Sequence, residues 1–355
     1  MASTLATPLP SQPGSPMLVS DNEPPLGTTS SPRLVAWVPT ALHPNALELA
    51  KKYFDVIDHV DPRADKWYEF ANASIITAGR ISKEDVERAE RLKVVTRNGV
   101  GTDSVPLELC RQRSIIVTNQ PGCNAKPVSE IALGLAISVA RKIAQIDRTL
   151  RSGEKTISAR WRSQSIEGRT LGLIGMGDIA RQTAKKIYGA FDTPIVVYSP
   201  TSVAEKWTAK DPSGLPPIPH RRVDTLEELL ATADIVSLHC PLNEQTRGII
   251  GEKEFRLMKK TAIILNTARG GLIDESALAR ALKSGEIYGA GLDTVEFEPP
   301  NLERYPDLLT LDNIVILPHV GAQEEESQRD ACLAAVETAY LYLTGQGIGQ
   351  SKRVV

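Results

Sequence analysis

Four polar residues in the second half of the chain each follow a short apolar run: Arg269 in Asn-Thr-Ala-Arg-Gly-Gly271, Asp293 in Gly-Leu-Asp293, Glu298 ahead of Pro299-Pro300, and His319 in Leu-Pro-His-Val-Gly321. Ligands of open parallel sheets collect beyond the carboxyl ends of strands, so side chains at such positions can reach one. Each alone has an ordinary use. An arginine pairs on the surface, an aspartate accepts turn amides, Glu298 follows Glu296 in a charged loop, and a lone histidine is half-buried and satisfied. Together they supply a fork for an anion, a group that passes a proton near neutral pH, and a carboxylate to orient and charge that group.

That set matches the needs of ketone reduction by hydride. The carbonyl oxygen gains negative charge as hydride arrives, and His319 as imidazolium can protonate it. Glu298, hydrogen-bonded to the ring, raises the histidine pKa and fixes its tautomer. Arg269 can clamp a carboxylate beside the carbonyl, where a planar bidentate donor fits best. The implied substrate is a 2-keto acid and the implied hydride source a nicotinamide. A glycine turn, Asn98-Gly-Val-Gly-Thr-Asp103, can present amides to the same carboxylate from the far side of a cleft, through Gly99, Val100 and Gly101.

The dinucleotide is expected at Thr170-Leu-Gly-Leu-Ile-Gly-Met-Gly-Asp-Ile-Ala180. An apolar run meets a glycine pair and passes into helical spacing at Ile179, Ala180, Ala184 and Ile187. Gly175 permits the turn, Gly177 leaves room for a pyrophosphate, and the first helix amides face it. Ala180 replaces the third glycine, which affects only close packing. The next strand, Pro194 to Tyr198, ends at Ser199, where an acidic residue would bind the ribose hydroxyls. NAD and NADP are therefore both open. A Pro-rich loop from Thr201 to Arg222 carries Lys206, Arg221 and Arg222 near that end.

The 355 residues leave room for two domains. A net charge of -2 gives no basic field for nucleic acid and no membrane patch, and no apolar stretch reaches spanning length. Cys110, Cys123, Cys240 and Cys332 lack metal or redox-pair spacing, and the five histidines suggest no zinc site, so reduced thiols, no metal and a cytoplasmic location are expected. Residues 1–31, rich in Pro, Ser and Thr, read as a disordered tail.

From Arg33, apolar runs alternate with helical segments such as Lys83 to Leu92, implying parallel sheets covered by helices. Val128 to Leu150 reads as one long helix, apolar nearly all round at first, needing cover from a domain junction or a partner subunit. Strands at Leu171, Val196, Ala233 to Leu238, Ala262 to Leu265, Tyr288 to Leu292 and Ile314 to Leu317 follow, with a capping box at Thr225 to Glu228 and a helix from Asp274 to Lys283. A final helix, Glu325 to Leu343, is expected to return to the first domain.

The motifs, in this order and spacing, resemble the D-isomer-specific 2-hydroxyacid dehydrogenases over about residues 33 to 343, nearest to phosphoglycerate dehydrogenase-like and glyoxylate/hydroxypyruvate reductase-like members. The resemblance rests on Gly99-Val-Gly-Thr-Asp103, Asn119 to Asn124, Gly175 to Ile179, Ser237 to Leu242, Asn266 to Gly271, Gly291 to Asp293, Glu298-Pro-Pro300 and Pro318 to Gly321. It implies an α/β chain of two Rossmann-like doubly wound domains. The NAD(P)-binding domain (125–321) is inserted into a discontinuous, flavodoxin-like substrate domain (32–124 and 322–355), and the assembly is a homodimer. It further implies Arg269, Glu298 and His319 as the catalytic three. Asp178 and Ile179 would lie on the pyrophosphate and Ser199 at the ribose, with Val100, Cys240, Thr267 and Asp293 contacting the cofactor. Val100 and Gly101 would also face the substrate carboxylate. The expected activity is reversible NAD(P)H-dependent reduction of a small 2-keto acid to the D-2-hydroxy acid. A dinucleotide-sensing protein of the corepressor type is the alternative, since it shares fold and site; formate oxidation is disfavoured, because that chemistry uses Gln at position 298.

Overall fold

The computed structural model describes residues 33–77 and 79–355, so the expected tail lies outside it. The first part of the chain runs β1 (Val35–Val38), α1 (Pro44–Tyr53), β2 (Asp55–Asp58), β3 (Ala73–Ile76), α2 (Lys83–Arg88), β4 (Val94–Arg97), α3 (Leu107–Gln112) and β5 (Ile116–Asn119). Two helices, α4 (Ala125–Ala140) and α5 (Ile143–Arg151), lead into the second sheet. There follow β6 (Leu171–Ile174), α6 (Asp178–Phe191), β7 (Ile195–Tyr198), β8 (Arg221–Arg222), α7 (Leu226–Thr232) and β9 (Ile235–Leu238). Then come α8 (Glu252–Leu257), β10 (Ile263–Asn266), α9 (Glu275–Ser284), β11 (Gly289–Leu292), α10 (Pro306–Leu309) and β12 (Ile314–Ile316). Helix α11 (Glu325–Leu343) and β13 (Lys352–Arg353) close the chain.

The strands form two sheets, ordered β13-β5-β4-β3-β1-β2 and β12-β11-β10-β9-β6-β7-β8. Pairing is parallel throughout except at β13, which runs antiparallel along β5. Helices cover both faces, so β3, β6, β9, β10 and β11 are buried at every residue and read as nearly continuous apolar runs, broken only by Ser74, Ser237 and Asn266. This is a Rossmann-like α/β architecture. In the second sheet the chain builds outward from β6 through β7 and β8, then restarts beside β6 at β9. The first sheet does the same at β1 and β3. Each reversal opens a crevice at the strand carboxyl ends, where ligands of doubly wound sheets sit.

All strands of the second sheet fall in sequence between β5 and β13, and α11 packs on α1, β3 and β4 of the first. Cys332, Ala335, Val336 and Ala339 on α11 share a buried cluster with Ala36, Ala50 and Ile75.

Where one helix was expected from Val128 to Leu150, there are two. Lys142 takes a left-handed conformation (φ 56°), and the carbonyl of Ala140 accepts from Gln164 N at 3.0 Å and from the Tyr288 hydroxyl at 3.3 Å. Diverting that carbonyl ends α4. Leu135, Ala136 and Val139 of α4 are buried with β6 and β10 residues, whereas α5 buries none of its residues. At α7 half of the expected capping box forms: Thr225 Oγ1 accepts from Glu228 N at 3.1 Å, while the Glu228 carboxylate turns to Arg221. Helix α8 and the short strands β8 and β13 carried too little periodicity to be read beforehand.

Candidate active site

Arg269, Asp293, Glu298 and His319 all sit just beyond β10, β11 or β12, and the backbone ties their loops together. Asn266, ending β10, bends the chain for Arg269: its Nδ2 donates to Arg269 O at 2.7 Å and its Oδ1 accepts from Ala268 N at 3.0 Å. The next residue must be glycine, because a Cβ on Gly270 would lie 1.9 Å from the Val295 carbonyl carbon. That close approach sets the Arg269 turn against the loop leading to Glu298. The same loop is pinned from behind, with Glu296 N donating to Glu275 Oε1 and Phe297 N to the Tyr305 hydroxyl, both at 2.7 Å.

His319 Nδ1 lies 2.8 Å from Glu298 Oε2. Glu298 Oε1 also accepts from Val295 N at 3.4 Å. The hydrogen bond to Glu298 raises the histidine pKa; burial opposes it, the charges of Glu298 and Asp293 add to it, and Arg269 opposes it. An imidazole so held keeps its proton to higher pH, with Nδ1 turned to the carboxylate and Nε2 left clear of it.

Asp293 is buried, and burial raises its pKa against the hydrogen bonds it accepts. Its Oδ1 accepts from Val320 N and its Oδ2 from Gly321 N, each at 2.9 Å, while its carbonyl accepts from His319 N at 2.8 Å. Asp293 was expected among the cofactor contacts. Its carboxylate oxygens also brace the loop that carries His319, which helps to position the imidazole.

Across the cleft, the turn after β4 has its carbonyls fixed one by one. Gly99 O accepts from Gln120 N at 3.0 Å, Val100 O from Asn119 Nδ2 at 2.8 Å and Gly101 O from Arg97 Nε at 3.1 Å. In a planar trans peptide the N–H points opposite the C=O, so the amides of Val100 and Gly101 turn away from Gln120 and Asn119. Arg269 bridges to this turn: its Nε donates to Asp103 Oδ2 at 3.0 Å and its Nη1 to Ala268 O at 2.7 Å. Its Nη2 lies where a Cβ on Gly101 would be, 1.7 Å from that position. Gly99, Val100, Gly101 and Arg269 are thus brought together, with His319 near enough to feel the Arg269 charge. Asp103 and Arg97 were not foreseen in this role, because their partners lie far away in sequence or on neighbouring backbone.

Most residues expected to hold the dinucleotide lie at the carboxyl ends of β6, β7, β9 and β10. Gly175 has φ 107° and abuts the His239 carbonyl, which a Cβ would approach to 2.8 Å. Gly177 caps α6 with no side-chain hydrogen bond, and nothing lies within 4 Å of where its Cβ would be. An uncapped helix N-terminus with open space before it suits a pyrophosphate. Asp178 and Ile179 open that helix, Cys240 follows the adjacent strand end, and the hydroxyl of buried Thr267 has no partner in the protein. Burial pushes the Cys240 thiol up to about 11, so it stays protonated.

Ser199, beyond β7, pairs its hydroxyl with that of Ser202 at 2.8 Å. Of the basic residues in the following loop, Arg221 turns to Glu228 at 2.5 Å. Arg222 clasps the turn itself, donating to the carbonyls of Ser199 at 2.7 Å, Ser202 at 3.0 Å and Val203 at 2.6 Å. The loop folds down around buried Trp207.

Two Rossmann-like sheets, a glycine turn at a helix N-terminus and a histidine–carboxylate pair beside an arginine define a dinucleotide-dependent oxidoreductase. Comparison with known proteins gives the family. Residues 133–321 match the model of the D-isomer specific 2-hydroxyacid dehydrogenase NAD binding domain. The chain is 39% identical to the hydroxypyruvate reductase of Thermotoga maritima over 264 residues, covering 74% of this chain and 82% of that one. It is 40% identical to the D-3-phosphoglycerate dehydrogenase of Methanocaldococcus jannaschii over 280 residues, covering 78% of this chain but only 50% of that longer protein. The crystal structure of a glyoxylate reductase from Paecilomyes thermophila superimposes with a TM-score of 0.76 at 27% identity, covering 91% of this chain and 99% of that one. The chain belongs to the D-isomer specific 2-hydroxyacid dehydrogenase family, whose members are oxidoreductases acting on 2-hydroxy and 2-keto acids with a nicotinamide dinucleotide.

Proposed function

We propose that this protein reversibly reduces a small 2-keto acid to the D-2-hydroxy acid, with Arg269, Glu298 and His319 as its catalytic residues. The observation that carries the reading is the 2.8 Å contact between His319 and Glu298, set opposite an arginine whose Nη2 edge faces the Gly99–Gly101 turn. The substrate carboxylate docks on Arg269 and the amides of Val100 and Gly101, which turns its carbonyl toward His319. His319 donates the Nε2 proton to the carbonyl oxygen, and Glu298 holds Nδ1–H and stabilises the imidazolium beforehand. In the reverse direction the neutral ring takes that proton back. A reduced nicotinamide dinucleotide, when bound, supplies the hydride. Gly175, Gly177, Asp178 and Ile179 hold its pyrophosphate, Ser199 its adenosine ribose, and Val100, Cys240, Thr267 and Asp293 the rest.

NADH and NADPH are both accepted in this reading. Ser199 brings no negative charge against a 2′-phosphate, and Arg222 places a positive one beneath the turn. The division into a cofactor domain (125–321) and a substrate domain (32–124 with 322–355) is supported by the two sheets and by the return of α11 and β13 to the first. A homodimer is supported by Ile143 and Leu150 of α5 and by Ile157, large apolar side chains lying 51%, 57% and 73% exposed. A cytoplasmic location is supported by four free thiols. Among the described residues no helix is long and apolar enough to cross a membrane.

The test is a panel of glyoxylate, hydroxypyruvate and a bulkier aryl or branched keto acid, run with NADH and with NADPH. Steady oxidation of either dinucleotide with at least one of them is the expected result. No turnover with any, alongside tight dinucleotide binding, would instead favour a sensor.

A further inference from the structure

Among the described residues, the end of the cleft that receives the carboxylate holds three charged side chains rather than one. Asp103 accepts from Arg269 Nε at 3.0 Å. Arg97 lies under the same turn, its Nε on Gly101 O at 3.1 Å and its Nη1 on Thr77 O at 2.5 Å. The three sense one another. Burial pulls the Arg97 pKa down, Asp103 pushes it up and Arg269 pulls it down again, yet a guanidinium stays charged in any accessible pH range. Burial works to raise the Asp103 pKa, but the charge and hydrogen bond of Arg269 and the charge of Arg97 hold it below the usual carboxylate value.

Two fixed cations therefore face one fixed anion, and a single positive charge is left over where the keto acid docks. Arg97 has its Nε and Nη1 on backbone carbonyls beneath the turn, so its main action on a ligand is through its field. Arg269 keeps its Nη2 edge for the ligand, because Asp103 takes Nε and Ala268 takes Nη1. We infer that Asp103 sets the charge class of the substrate: by cancelling one guanidinium, it favours 2-keto acids with one carboxylate over those bearing a second anionic group. This inference rests on the keto-acid reading of the cleft. Asp103 is a specificity-determining residue, distinct from the groups that carry out the reaction. Its side chain is 63% exposed, so its replacement leaves the core alone.

The experiment compares wild type, Asp103→Asn and Asp103→Glu as full-length protein, loaded with NADP+ for the binding measurements so that neither anion can be reduced. Calorimetry measures binding of oxamate, a monoanionic keto-acid mimic, and of ketomalonate, a dianion; kcat/KM is measured for glyoxylate and for oxaloacetate. Removing one charge close to the ligand should shift the oxamate-to-ketomalonate preference about tenfold toward the dianion. The glyoxylate-to-oxaloacetate ratio should move the same way, and Asp103→Glu should restore both. If Asp103→Asn weakens both anions by one common factor, Asp103 is only a structural tie and the inference is overturned. An unchanged preference overturns it too, while leaving the keto-acid reading intact if wild type turns over glyoxylate. Wild-type protein that binds neither anion and reduces neither acid overturns both.

Discussion

Two glycine turns, each following a buried parallel strand, meet at this cleft and have opposite surroundings. At Gly99–Gly101 the carbonyls are each held by a neighbour, and Arg269 Nη2 presses against Gly101, so no side chain fits. At Gly175–Gly177 the first glycine is tight against the His239 carbonyl, but the second opens onto empty space at the start of a 14-residue helix. The crowded turn suits a small planar anion gripped from two sides. The open one suits a bulky pyrophosphate held by helix amides. The same residue type does two jobs because in one place a guanidinium fills the room that the glycine leaves, and in the other the room is kept for a ligand.

The comparison can be broken by adding one methyl group to each turn. Gly101→Ala must displace Arg269, and a misplaced clamp should lower kcat/KM for the keto acid by roughly a hundredfold with little change in dinucleotide affinity. Gly177→Ala meets no protein atom, so the variant should fold normally and show the reverse pattern: dinucleotide binding weaker by about tenfold, from lost close approach, with the keto-acid KM nearly unchanged. If both substitutions change the same constant, the division of labour is wrong. Steady-state kinetics with each substrate varied in turn reads both.

Smaller effects sharpen it. Ser199→Asp introduces a carboxylate where Ser202 and Arg222 now shape the turn, and should move the ratio of kcat/KM for NADH over NADPH several-fold toward NADH. A ratio that stays put would remove Ser199 from the ribose site. Glu298→Gln removes the carboxylate charge that helps to raise the His319 pKa and leaves only a weaker, neutral acceptor. Keto-acid reduction, which needs the imidazolium, is lost as pH rises through that pKa. The falling limb of its pH profile should therefore shift to lower pH in the variant, and hydroxy-acid oxidation, which needs the neutral ring, should begin at lower pH. Profiles that coincide with wild type would detach Glu298 from the proton step.

Much of this site was legible before any coordinates. Arg269 and His319 stand out because each comes soon after an apolar run that reads as a buried strand, and Glu298 because it lies in the loop after another such run, all of which can be read locally. The glycine turns were visible for the same reason, and α11 was placed at Glu325 to Leu343, as observed. The break between α4 and α5 was hidden, since nothing near Lys142 announces that the Ala140 carbonyl will be taken by Gln164 and Tyr288. The Asp103–Arg269 pair was hidden more deeply, joining residues 166 positions apart. Asp293 illustrates a third limit. Its place at a strand end can be read locally, but only the register of β11 against β12 reveals that its oxygens meet the amides of the His319 loop.

The central claim is that His319 delivers the proton at the reactive end of a cleft whose dinucleotide site is built elsewhere. The direct test pairs glyoxylate- or hydroxypyruvate-dependent NADPH oxidation with NADPH binding by fluorescence, in wild type and in His319→Ala. Turnover should fall by roughly two to four orders of magnitude while the NADPH dissociation constant stays within about twofold. Turnover in His319→Ala close to that of the wild type would contradict the account.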